Sequence, residues 1–263
     1  MNYKRVFSIF GIMSIGVFLF VLTSQTTRIN AAETIVATLV ATHDTSHWTP
    51  PSPDPAGITY NPITNTLLIT DSEVEEMPIY QGKNVFESTL TGDVVSTTDT
   101  TFFSNEPTDI AINTNNGHYF FSDDNKKKVY EVDLGLDGVF GTGDDVLSFF
   151  STADFNSTDP EGIAYNQGKL YIADGVGKEV YVIDPGTNGL FDGVIPTGDD
   201  QVTNFDVEVF GIVDPEGIEY NPDNDTLFVL DSKRTNKIVV EVTTQGELVR
   251  SIDISAAGSR KPA

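Results

Sequence analysis

The sequence predicts an all-β fold, a β-propeller of four-stranded blades, from a repeated motif, its period and the runs that fill each period. The motif is Asp-Pro-Glu-Gly-Ile, at 159–163 and again at 214–218. It runs on as Ala164-Tyr165-Asn166 in one copy and as Glu219-Tyr220-Asn221 in the other. Two looser copies lie upstream, Asp54-Pro55-Ala56-Gly57-Ile58 and Glu106-Pro107-Thr108-Asp109-Ile110. The copies start at 54, 106, 159 and 214, in steps of 52, 53 and 55 residues. A steady step of this size marks a repeat architecture. An apolar run ending in Asp follows each motif, at Asp71, Asp123, Asp174 and Asp231. Further short β-branched and aromatic runs complete the unit, split by Gly, Asn, Asp and Pro. Four strands per repeat make one propeller blade.

The elements can be justified in chain order. Lys4 and Arg5 precede an apolar run over 6–22, and a polar stretch then leads to Asn30-Ala31-Ala32. Charged, apolar and small-residue parts in that order predict a secretory signal over 1–32, cleaved near Ala32. An uncleaved anchor is the alternative, since the 17-residue run falls just short of a comfortable span. Losing Lys4, Arg5 and Arg28 with the leader takes the formal charge from −24 to −27. The mature chain is then expected to be secreted or held at the cell surface, with no membrane span.

Residues 33–53 hold one strand, at 35–40, and a Pro-rich connection around Trp48. The strand stands where a blade's fourth strand would stand, and is expected to close the ring on the last blade, removing exposed edges. Blades follow at about 54–103, 106–150, 159–210 and 214–254, with an insertion after Asp71. Lys261-Pro262-Ala263 looks like Asp54-Pro55-Ala56 and reads as the start of a fifth copy. The ring is therefore expected to be incomplete, cut at a blade boundary.

Composition removes several function classes. There are 39 Asp plus Glu against 15 Lys plus Arg, with no basic stripe, so nucleic-acid binding is excluded. The absence of Cys excludes disulfides and thiolate metal sites. His43, His47 and His118 are too few for a multi-histidine zinc site. No G-x-S-x-G nucleophile motif or phosphate-cradling Gly loop is present. The acidic excess serves solubility and suits hard divalent cations, which take carboxylate oxygens.

Strand order puts the repeated acids on two opposite faces. The loop before a blade's first strand and the loop after its second share a face, which gathers Glu161, Asp174, Glu216 and Asp231 at one channel mouth. The bland reading of the strand-two Asp is a turn residue that bonds nearby backbone N–H groups. On the other face lie two Gly-rich loops between strands three and four. One carries Asp137, Asp144 and Asp145, and the other, 55 residues on, carries Asp192, Asp199 and Asp200. Three carboxylates on such a loop can wrap a calcium ion, although the spacing is not that of an EF-hand. The alternative is a polar hairpin whose glycines supply positive φ.

The D-P-E-G-I-x-Y-N units and Leu170-Tyr171-Ile172-Ala173-Asp174 resemble the NHL and gluconolactonase-like propeller superfamily, over residues 54–263. The same phrases are similar to β-propeller phytases, and that resemblance implies calcium at related acidic positions. Ala56 and Thr108 stand where the later copies carry Glu161 and Glu216, so the implied site transfers to only half the ring. The expected function is an exported, calcium-binding scaffold or binding module for an unnamed protein or small molecule. The alternative is a metal-dependent lactonase or phosphoester hydrolase, with Glu161, Glu216, Asp174 and Asp231 around the ion.

Overall fold

A computed structural model describes residues 33–72 and 77–258. The leader 1–32 and the fifth-copy residues 261–263 lie outside them. Blade one contains β2 (Pro55–Asn61), β3 (Thr66–Asp71), β4 (Val85–Thr89) and β5 (Val94–Thr98). Blade two contains β6 (Asp109–Ile112), β7 (Tyr119–Asp123), β8 (Lys128–Asp133) and β9 (Val146–Ser151). Blade three contains β10 (Pro160–Asn166), β11 (Lys169–Asp174), β12 (Glu179–Asp184) and β13 (Gln201–Asp206). Blade four contains β14 (Pro215–Asn221), β15 (Thr226–Asp231), β16 (Ile238–Thr243) and β17 (Leu248–Asp253). Each blade is an antiparallel meander in sequence order, and the four form a four-bladed β-propeller.

The N-terminal strand departs from expectation. β1 (Glu33–Val36) is shorter than the predicted 35–40 strand and does not supply a missing fourth strand. It runs parallel to β17 as a fifth strand on blade four, with Ile35 opposite Ile252. The reason is direct: β17 already occupies the fourth place, so only its outer edge was free.

The motif makes each first strand. Its Pro-x-Gly segment is irregular, with the register shifting between Pro55 and Ile58 and again between Pro160 and Ile163. Its closing Asn turns the chain into the next strand. Asn61, Asn113 and Asn221 each accept a hydrogen bond from the N–H two residues on, the side chain imitating a turn. In blade three the turn is Gln167-Gly168, both at positive φ, the two-residue geometry that matches strand twist.

First strands of neighbouring blades meet along the axis, and apolar side chains fill the wedges between blades. Ile110, Phe121, Tyr130 and Val132 pack between blades one and two. Phe120, Ile163, Leu170 and Phe191 do so between two and three. Val180, Ile218, Leu227 and Val240 do so between three and four. Among the described residues no comparable cluster fills the seam between blades four and one, where Ile58 is 51% exposed. Trp48 is a packing residue, lying 5.6 Å from the Phe86 ring and donating Nε1–H to the Gly92 carbonyl.

The Asp that ends each second strand is a clamp for the loop entering its blade. Asp71, Asp123, Asp174 and Asp231 are all essentially buried. Asp174 Oδ2 accepts from Ser157 Oγ at 2.8 Å and from the N–H groups of Thr158 and Asp159. Ser52 and Ser104 donate to Asp71 and Asp123 in the same way. In blade four Ile212 replaces the serine, and Val213 N–H and Asn236 Nδ2 bond Asp231 instead. We expect Asp174→Ala to destabilise the chain by about 1–3 kcal/mol, because buried N–H donors lose their acceptor. Urea unfolding measures this, with Asp154→Ala on an exposed turn as a control that stays near neutral.

Candidate functional site

Two groups of three carboxylates, among the described residues, bring one oxygen each within 4.8 Å of one another. They lie on opposite faces. Asp192, Asp199 and Asp200 sit on the loop from β12 to β13, whereas Asp124, Asp159 and Glu161 sit where β10 begins and the β7–β8 turn passes.

The β12–β13 loop is shaped by its own backbone. Gly186, at φ +69°, lets the chain pass so close to Asp199 that a Cβ there would meet its carboxylate at 2.7 Å. Asp199 Oδ2 accepts from the N–H and hydroxyl of Thr187, which hold its carboxyl below the usual range. Asp200 Oδ2 accepts from Gly193 N–H, and Asp192 Oδ1 from Asp199 N–H. The Oδ1 atoms of Asp199 and Asp200 are buried and have no hydrogen-bond donor. Asp200 is only 4% exposed. Burial, reinforced by the charges of Asp192 and Asp199, pushes its carboxyl up to about 6.

The blade-two loop is related, but not as a constant offset of 55 residues implies. β8 and β12 correspond at an offset of 51, and only β9 and β13 correspond at 55. Asp137 is therefore the counterpart of Asn188, not of Asp192: each side chain accepts from the N–H two residues on, at Val139 and Leu190. Blade three has four extra residues before Thr197, and these carry Asp192 to its partners. Asp144 is tied to Leu136 N–H, Asp137 N–H and the Thr142 hydroxyl. Asp145 keeps one buried oxygen without a donor, but Asp137, Asp144 and Asp145 do not gather as the blade-three acids do.

On the other face the expected channel-mouth set is divided. Glu161 joins Asp124 and Asp159. Burial, and then the charges of Asp174 and Asp124, raise the Asp159 carboxyl. Asp174 and Asp231 spend their oxygens on backbone and side-chain donors. Glu216 is not part of the group. His118 bonds Glu131 at 2.7 Å.

The axis holds two acids that the repeat pattern did not single out. Asp109 takes the motif's Gly position in blade two and is 4% exposed. Its carboxylate accepts from Ile110 N–H at 2.8 Å and from Ile163 N–H at 2.9 Å, in the next blade. Burial raises it well above the ordinary carboxyl range, against these bonds and a further one from Ile58 N–H. Glu219 follows the motif Ile in blade four, facing blade one. Burial pushes it up to about 7, opposed by hydrogen bonds from Thr59 and Tyr220. Both were legible as departures: Asp for Gly at 109, and Glu where the other copies have Thr59, Ala111 and Ala164.

Comparison with known proteins adds the fold. No family model and no curated protein matches the chain. Among solved structures it is similar to glutaminyl cyclase of Myxococcus xanthus, at 13% identity and TM-score 0.54, covering 85% of this chain and 78% of that one. The fold is a β-propeller. The catalytically inactive H270A virginiamycin B lyase of Staphylococcus aureus, solved with quinupristin, is similar at 15% identity and TM-score 0.46. That likeness covers 79% of this chain and 58% of the lyase. A streptogramin B lyase matches at 14% identity and TM-score 0.45, over 74% of this chain and 53% of its own. The chain thus spans little more than half the length of the two lyases. Identity at this level carries fold and no chemistry. The glutaminyl cyclase likeness bears on the propeller fold alone. Among the described residues no helix is long and apolar enough to cross a membrane.

Glu219 gives the chain a pH signature. Its folded pKa of about 7 lies above its ordinary 4.5. Between these values the folded state holds more protons than the unfolded one, so its contribution to stability falls as pH rises from about 4.5 through about 7. We expect Glu219→Gln to flatten that part of the stability–pH profile and to raise stability at pH 8, measured by urea midpoints across the range. An unchanged slope in the variant would remove Glu219 as its source.

Proposed function

We propose that this chain is a calcium-stabilised β-propeller that acts as a binding module, with the ion held by Asp192, Asp199 and Asp200. One observation carries the reading: the Oδ1 atoms of Asp199 and Asp200 are buried without a donor beside a third carboxylate. Buried anionic oxygens facing one another are unfavourable unless something positive lies between them. No Lys or Arg pairs with these three acids among the described residues. Carboxylates on a Gly-bearing loop with nearby carbonyls suit a cation that takes six to eight oxygens in flexible geometry. Export, as the leader over 1–32 suggests, would place the chain where calcium is plentiful. The ion's task would be to pin the outer loop of blade three.

Melting curves test this. A ligand that binds only the folded state at 100 times its Kd adds about 2.7 kcal/mol. We expect calcium to raise Tm and EDTA to lower it. Asp199→Asn with Asp200→Asn should remove most of the shift, while Asp144→Asn with Asp145→Asn should retain most of it. Equal melting temperatures in calcium and EDTA would make the loop an ordinary hairpin. A hydrolase reading centred on Glu161 would require turnover of lactones or phosphoesters that EDTA abolishes.

A further inference from the structure

We propose that the mouth of the channel at the motif's Tyr-Asn end binds a small organic ammonium ion, with Glu219 as its counter-charge and Tyr60, Tyr165 and Tyr220 as its walls. A bowl of about 430 Å³ opens there, lined by these three tyrosines, Asn115, Gln167 and Glu219. The volume lies within the range of small-molecule sites. The tyrosines come from the same motif position in blades one, three and four, so the ring brings together residues up to 160 apart in sequence.

The rings are held in place. Tyr60 donates its hydroxyl to Asn65 Oδ1 at 2.9 Å, and Tyr220 to Asp225 Oδ1 at 3.0 Å. Asn115 Nδ2 donates to the Tyr165 hydroxyl at 3.1 Å, and the Tyr165 ring stacks on Phe120 at 14°. With the hydroxyls occupied on the hairpins, what the wall offers a ligand is aromatic surface.

The charge of the bowl selects the ligand. No Lys, Arg or His lines it. Glu219 is its acid, and no ion pair to Glu219 occurs among the described residues. An anion would meet Glu219, the neighbouring Asp225 and a strongly acidic chain. A cation would meet a desolvated carboxylate and the negative faces of aromatic rings, the combination by which proteins hold ammonium groups. Thr114, Asn115 and Gln167 on the rim offer polar groups for the rest of such a molecule.

This inference rests on the binding-module half of the proposed function and not on calcium. The test is calorimetric titration of the chain with choline and with 3,3-dimethyl-1-butanol, its uncharged isostere, in calcium and in EDTA. Saturable choline binding is expected, with the isostere weaker by about tenfold or more. Glu219→Gln should bring choline down to the isostere's level, and Tyr60→Leu with Tyr220→Leu should weaken both probes. Asp199→Asn with Asp200→Asn should leave choline binding intact, which separates this site from the calcium loop. The proposal is overturned if choline does not saturate, if the two probes bind equally, or if Glu219→Gln keeps full choline affinity. Loss of choline binding in the Asp199 and Asp200 double variant, with Glu219→Gln unaffected, would likewise overturn it by locating the cation on the outer loop.

Discussion

The close approach of first-strand backbones at the propeller axis is the constraint on which the rest of the fold depends. A Cβ on Gly162 would lie 2.5 Å from the Glu216 carbonyl oxygen, and one on Gly57 would lie 2.4 Å from the Asp109 Cα. The motif glycine is therefore a spacing requirement, not a turn. Strands this close leave inward backbone groups that need partners. Hydroxyls and one carboxylate supply them: Thr108 and Ser122 donate to the Glu161 carbonyl, and Asp109 accepts from Ile110 and Ile163. Asp109 can stand at a Gly position because its neighbour there, Gly57, has no side chain to compete for the space.

The same reasoning explains what could be read from the sequence. The four encoded blades, their strand number and the face of each loop followed from the period, because the period is imposed by the shared axis. The ring, expected to be incomplete, is instead a four-bladed propeller. The strand-two Asp was legible as a turn residue, but its usual donor was not. Ser52, Ser104 and Ser157 lie two residues before the motif, and that position is Ile212 in blade four. The match between Asp137 and Asp192 failed because identical local strings, Asp-Gly and Thr-Gly-Asp-Asp, hid a four-residue difference in loop length. Only strand pairing fixes the correspondence. The place of β1 was not legible either, since edge pairing to β17 depends on which edges other strands leave free.

The acids divide by whether their oxygens are satisfied. A buried carboxylate whose two oxygens each accept an N–H or hydroxyl bond is content without a ligand, and this describes Asp123, Asp174 and Asp231, while Asp71 holds Ser52 and Asp54 by the same Oδ2 clamp. Their regular recurrence, which made them conspicuous as ligand candidates, is the mark of a structural role repeated in every blade. Asp199 and Asp200 differ in that each keeps one oxygen buried and bare and that Asp192 brings a third carboxylate beside them.

The places suited to chemistry are accordingly those where the repeat is broken. Four equivalent blades give four equivalent environments, which serve packing well but cannot single out one ligand position. The four extra residues in the blade-three loop create one acidic pocket where blade two, with the shorter loop, has none. Glu219 replaces a small or neutral residue found in the other three copies and puts a single charge at one mouth of the channel. Ile112 stands where the other blades have tyrosine, so the aromatic wall has three sides and a gap. The two acidic departures carry an energetic penalty, a bare buried oxygen or a carboxyl raised by burial. Each is tolerated because the recurring Asp clamps and close-packed glycines of the other repeats hold the scaffold around it.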